Sequence, residues 1–202
     1  MNTYIQAMKK AMEDYYRAAN DAIQKTMKAR QIYQQDVAEE EASKYWNDLV
    51  NKKDAAIDAV VSAKDKGIAE AKRWGMLDGS KINDGDVKLL KYNLSPEQFE
   101  SLVERYKNNG TMCFILQQYA EKQNREETTP GEYGMVGRLN PLIIPSVENK
   151  IRAYEFFAKS ALSTIENIGG DGMSSVVVEH AVKNFGTPNT MNYQHLEALG
   201  GV

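Results

Sequence analysis

Cysteine is nearly missing from this chain. Among 202 residues there is one, Cys113, so no disulfide can form within it. It stands in the apolar run Met112-Cys113-Phe114-Ile115-Leu116, the setting of a buried small side chain and not of a reactive thiol. Histidine is scarce too. His180 and His195 each lack a second histidine or cysteine at the spacing of a metal ligand set, so no metal and no cofactor is expected. No hydrophobic run approaches the roughly 20 residues that a membrane-spanning helix needs. The N-terminus reads as a charged helix, with no apolar signal-peptide core and no small-residue cleavage site. A protein of a cytoplasm, or of a particle assembled in a host cytoplasm, is expected, with no membrane partner. No charge of one sign dominates: the net charge is −3, and residues 1–75 carry 13 basic against 12 acidic side chains. That mixture gives no electrostatic footprint for nucleic acid, and none is expected as a partner.

Helix breakers are missing from one end only. Residues 1–74 hold no proline and a single glycine, Gly67, against 5 prolines and 14 glycines in the whole chain. Ala, Lys, Glu, Gln and Met dominate there, and all are good helix formers. Ile5, Met8, Met12, Tyr15 and Ala19 step by three and four, the spacing of a coiled-coil seam. Beyond Ala19 the seam is expected to drift to a 3.6-residue step through Ile23 and Met27, leaving Thr26 outside it. One long helix, or two joined end to end with a break near residues 36–43, is predicted for 1–75. Tyr45, Trp46, Leu49, Val50, Ile57, Val60 and Val61 give its second part a wider apolar face.

Residues 76–127 read as a region of short helices. Asp78-Gly79 and Asp84-Gly85 form turns. Their acids do not make a calcium loop, because Ile82 and Lys91 fall where that loop needs ligands. Ser95-Pro96-Glu97-Gln98 is a capping box with proline at the first helical position, and Leu94 with Phe99 forms a hydrophobic staple. A helical hairpin is predicted, turning at Asn108-Asn109-Gly110 with Gly110 left-handed and Thr111 capping the second helix. Residues 128–145 hold three of the prolines and three glycines, so an extended connector is predicted, with Leu139, Leu142, Ile143 and Ile144 ready to dock in cis or on a neighbouring subunit. Residues 146–202 form the C-terminal helices. Val147, Ile151, Tyr154, Ala158, Ala161, Ile165 and Ile168 make a second heptad stripe there.

Residues 94–112, together with Tyr119-Ala120-Glu121-Lys122, resemble a segment of small helical structural and assembly proteins of tailed phages and prophages of Gram-positive hosts. The long arm followed by small helices is similar to phage head-assembly proteins. One feature departs from a scaffold: residues 173–202 carry a single lysine and no arginine, where a basic capsid-binding helix would sit. The resemblance implies a virion or head component without catalytic residues. Its partners would be other particle proteins, such as a capsid protein.

The expected fold is therefore all-α. A long N-terminal helix or coiled-coil arm leads into a small helical bundle, with one extended Gly/Pro-rich connector. The expected function is structural or assembly work by helix contacts; the alternative is a helical adaptor or regulatory module of a bacterial cytoplasm. The two heptad stripes either pair with each other inside one chain or each meet a second copy. The second, a homo-oligomer, is expected because the N-terminal helix is too long for the second stripe to cover. The expected interface residues are Ile5, Met8, Met12, Tyr15 and Ala19, with Leu139, Leu142, Ile143, Ile144, Val147, Ile151, Tyr154 and Ala158.

Overall fold

The structure, a computed structural model, describes residues 2–127, 139–168, 175–187 and 193–199. Every regular element among them is helical: α1 (Thr3–Ile32), α2 (Gln35–Trp74), α3 (Asp84–Leu89), α4 (Pro96–Tyr106), α5 (Gly110–Glu127), α6 (Val147–Asn167), α7 (Ser175–Asn184) and α8 (Tyr193–Ala198), with single 3-10 turns at Gly79–Lys81 and Pro141–Ile143. The chain divides into two compact units that cut across the segments read from the sequence. One holds Met1–Gly67 and Ala153–Glu197, the other Ile68–Arg152 with Ala198–Gly200.

In the first unit the N-terminal stretch is two helices, and the break comes at Tyr33-Gln34, ahead of the expected region. No glycine or proline marks it. Ile32 and Tyr33 are only middling helix formers, and Tyr33 turns to extended backbone while its N–H still bonds the Ala29 carbonyl at 2.9 Å. The chain reverses there, so α2 runs antiparallel beside α1: Ala18, Asp21, Ala22 and Lys25 stand against Tyr45, Asp48, Leu49 and Lys52.

The seam of α1 does not drift. Ile5, Met8, Met12, Tyr15, Ala19, Ala22, Thr26 and Ala29 are all buried, in unbroken steps of three and four, whereas Met27 is 54% exposed and Ile23 only half-buried. A strict heptad was hidden because its outer positions are small or polar. The facing seam of α2 runs through Ala38, Ala42, Tyr45, Leu49, Lys53, Ala56, Val60, Ala63 and Gly67. The base of this hairpin is braced by α6 and α7. Tyr154 of α6 lies edge-on to Tyr4, and its hydroxyl accepts from the Asn2 side chain at 3.0 Å. Gly67 is required by this ring: a Cβ there would come within 2.7 Å of it. Phe157 packs edge-on against Phe185, just beyond α7.

The second unit is built on the α4–α5 hairpin. Ser95 and Gln98 complete the capping box, and Leu94, Phe99, Leu102, Val103, Cys113, Leu116 and Tyr119 form its core. The turn differs from the expectation. Gly110 is not left-handed, since among the described residues only Gly186 has positive φ. Gly110 is needed because the Trp74 carbonyl lies where a Cβ would be. Asn109, not Thr111, caps α5 by accepting from the Met112 N–H, and Thr111 accepts instead from the Asp78 N–H.

Most of the expected connector lies outside the described residues. Its end, from Leu139 on, docks in cis. Leu139 and Ile144 are buried in the α4–α5 core, and the Asn124 side chain both donates to and accepts from the Leu139 backbone.

Candidate interaction surface

Helix geometry gives the outer half of the α1–α2 hairpin two unlike flanks. In each helix, the residue preceding a seam position lies on one side of the pair and the residue following it on the other. Because the helices are antiparallel, the preceding positions of both share one flank. They include Asp21, Lys25, Glu41, Lys44, Asp48 and Lys52. These pair along the helices, Lys25 with Asp21 at 2.7 Å, Lys44 with Glu40 and Glu41, and Lys52 with Asp48 at 2.7 Å. The hydrogen bonds that the Lys44 ammonium donates to Glu41 and Glu40 push its pKa up to about 12. This is a solvated face, where each exposed pair contributes little to stability.

The following positions carry Asn20, Ile23 and Met27 on α1 and Ser43, Trp46 and Val50 on α2, an uncharged stretch bounded by Arg30 and Glu39 at the tip and by Asp54 beyond Val50. Met27 and Val50 are more than half exposed, and Trp46 is 39% exposed. At the base the same flank is covered. There Lys9 donates to the Lys183 carbonyl of α7, and Tyr16, Ile57 and Val61 are half-buried. The apolar flank is thus one stripe whose inner half packs against this unit's own helices and whose outer half is open. Contiguous apolar surface with charge excluded from its centre is the composition of an interaction site. Ile32, Tyr33 and Val37 extend the exposed apolar surface onto the tip.

The residues expected to form an intermolecular interface fall mostly elsewhere. Ile5, Met8, Met12, Tyr15 and Ala19 are spent within the chain, as are Tyr154 and Ala158; the first three have no exposure at all. Their spacing was read correctly as a seam, but the partner is α2 of the same chain. Leu139 and Ile144 are core, and Val147 and Ile151 are half-buried. Only Leu142, at 83%, and Ile143 are open, on the Pro141–Ile143 turn. Sequence reasoning missed the flank because Ile23 and Met27 were assigned to the seam itself. The signal was present in the one-residue offset of both from Ala22 and Thr26.

A second concavity, of about 400 Å³, lies in the second unit and is lined by Leu89, Leu94, Glu97, Gln98, Ser101, Leu102 and Arg105. Beside it Asp86 accepts from both the Tyr106 hydroxyl and Arg105, and the Tyr106 bond first of all holds its carboxyl below the usual carboxylate range. Cys113 is buried. Its thiol donates to the Tyr106 carbonyl, and burial raises its pKa to about 11, far from that of a nucleophilic thiolate. Burial also lowers the pKa of Lys150, which sits 4.7 Å from the Trp74 ring centre and donates to the Ala198 carbonyl. His195 stacks edge-on to Phe156. No group of three or more His, Cys, Asp or Glu able to hold a metal ion occurs among the described residues, nor any helix long and apolar enough to cross a membrane. Comparison with protein-family models, with curated proteins and with solved structures gives no match.

Proposed function

We propose that this chain is a non-enzymatic structural or assembly protein of a tailed-phage-like particle, acting through helix-mediated contacts with copies of itself and with other particle proteins, such as a capsid protein. The observation that carries this reading is the uncharged outer flank of Ile23, Met27, Trp46 and Val50, apolar surface that continues a stripe already used for helix packing at its base. The resemblance of the α4–α5 segment to small helical proteins of phages and prophages supplies the setting, which is host cytoplasm during assembly or the virion itself. The test is a density gradient of particles from a host that expresses a tagged chain. The chain is expected to travel with the capsid protein, and Val50→Asp to release it. A wild-type chain that stays in the soluble fraction would contradict the reading.

The groove at Leu89, Leu94 and Leu102 favours a second reading, a helical adaptor of a bacterial cytoplasm. Its apolar floor and polar rim suit an amphipathic helix laid into it. An adaptor would bind one cytoplasmic protein stoichiometrically with no particle present, and Leu89→Glu would abolish that binding.

A further inference from the structure

The turn between α4 and α5 sets an asparagine directly before a glycine. No side chain shields the amide nitrogen of a glycine, so this pair is the one most prone to react with itself. We infer that Asn109-Gly110 is the chain's site of spontaneous deamidation, that the folded turn holds the reaction back, and that the modification, once made, releases the Gly79–Lys81 loop from α5.

The pair occurs once in the sequence, and each member is held there for its own reason. Asn109 is both acceptor and donor. Its Oδ1 caps α5 by accepting from the Met112 N–H at 3.2 Å, and its Nδ2 donates to the Lys81 carbonyl at 2.7 Å. Aspartate could cap the helix but has no hydrogen to give, and a serine hydroxyl stops an atom short of Nδ2. Gly110 must follow, because the Trp74 carbonyl lies where a Cβ would be. Further bonds gather at the same turn. Trp74 donates from Nε1 to the Asn108 carbonyl at 3.1 Å, and Thr111 accepts from the Asp78 N–H at 2.9 Å. The end of α2 and the loop after it are thus fastened to the first turn of α5.

The chemistry needs only water. The Gly110 amide nitrogen loses its proton to hydroxide and attacks Cγ of Asn109. A bond forms between them, the Cγ–Nδ2 bond breaks, and the amide leaves as ammonia. The five-membered succinimide then takes up one water and opens at either carbonyl, to aspartate or isoaspartate at position 109. Nothing is oxidised or reduced. Gly110 is the first residue of α5, where an N–H has no partner within the helix, so helix formation does not tie up the nucleophile. The fold withholds Cγ instead. To close the ring, the side chain must give up its bonds to Met112 and Lys81, and Gly110 is buried. The reaction therefore draws on the population in which the turn has opened.

The product cannot restore the junction. A carboxylate at position 109 still accepts from Met112, and its charge suits a helix N-terminus. Toward the Lys81 carbonyl it sets acceptor against acceptor. Isoaspartate also lengthens the main chain by one atom, in the turn where Gly110 abuts the Trp74 carbonyl.

Peptide mapping by mass spectrometry tests this on the full chain, incubated at mildly alkaline pH with and without urea. In urea, Asn109 is expected to convert ahead of every other asparagine, to a mixture of aspartate and isoaspartate. In the native protein the same conversion should run at least about tenfold slower. Thr111→Val, which removes the acceptor for the Asp78 N–H, should speed the native reaction several-fold. In Asn109→Asp, amide exchange should show protection lost at Lys81 and Ile82 and kept in α5. A native rate equal to that in urea overturns the inference. So does aspartate formed without isoaspartate, a native rate that Thr111→Val leaves unchanged, or protection at Lys81 and Ile82 that survives Asn109→Asp. No partner or particle enters the measurement, so its outcome is independent of the assembly role.

Discussion

The two halves of the α1–α2 hairpin share one heptad and differ in what fills it. At the base, Ile5, Met8, Met12 and Tyr15 meet Ala56, Val60 and Ala63, and α6 and α7 add further packing. In the outer half the α1 seam is alanine and threonine, facing Ala38, Ala42, Tyr45 and Leu49 of α2, and further large apolar side chains stand one position round the helix, at Ile23, Met27, Trp46 and Val50. Spacing alone is the same in both halves. Where the bulk sits decides whether a helix pair closes on itself or presents a surface.

The contrast can be broken most forcefully at the base. Met12→Asp places an unpaired carboxylate where a fully buried side chain stood, and should cost the first unit about 4 kcal/mol or more. The mirror change on the outer flank, Met27→Asp, should cost well under about 1 kcal/mol, because that residue is more than half exposed. Urea unfolding of the two variants measures the difference directly. Equal losses would show that the outer flank is as closely packed as the base.

A smaller effect is expected at Gly67. Valine there must displace the Tyr154 ring, and overpacking of this kind costs about 1–3 kcal/mol. Its signature would be loss of the Asn2–Tyr154 hydrogen bond, seen as a shift of the Asn2 side-chain amide resonance. An unchanged melting curve for Gly67→Val would show that the ring has room to move.

The smallest change sharpens the contrast from the outer seam. The Thr26 hydroxyl is buried with no hydrogen-bond partner among the described residues. Thr26→Ala removes that desolvated group and extends the alanine run, so it should raise stability by about 1 kcal/mol. A loss on thermal melting would mean that the threonine methyl packs more than the hydroxyl costs.

Much of this was legible in the sequence, and the parts that were not share a cause. The α4–α5 hairpin was readable because its signals are local: Ser95, Pro96 and Gln98 define a start, and Leu94 with Phe99 a core. The base seam was readable because Ile5, Met8 and Met12 are large. Thr26 and Ala29 were passed over because hydrophobic periodicity weighs size, and close antiparallel packing rewards its absence. The break at Tyr33-Gln34 carries no breaker residue; it follows from the pairing of two seams distant in sequence, which no local pattern reports. Gly110 was assigned a backbone conformation when its reason is the nearness of the Trp74 carbonyl, a tertiary contact. Leu139 and Ile144 could be identified as apolar, but only the fold shows that their neighbours belong to the same chain.

Amide hydrogen exchange followed as a function of protein concentration tests most directly whether the outer half of the hairpin depends on a partner. At low concentration, residues 20–50 should exchange far faster than residues 3–16 of the same α1 and 56–66 of the same α2, because their seam buries little. As the concentration rises, protection should grow in residues 20–50 alone and spread from the turns around Met27, Trp46 and Val50. Protection that is uniform along α1 and α2 and independent of concentration would contradict the account, since the outer half would then be held as firmly within the single chain as the base.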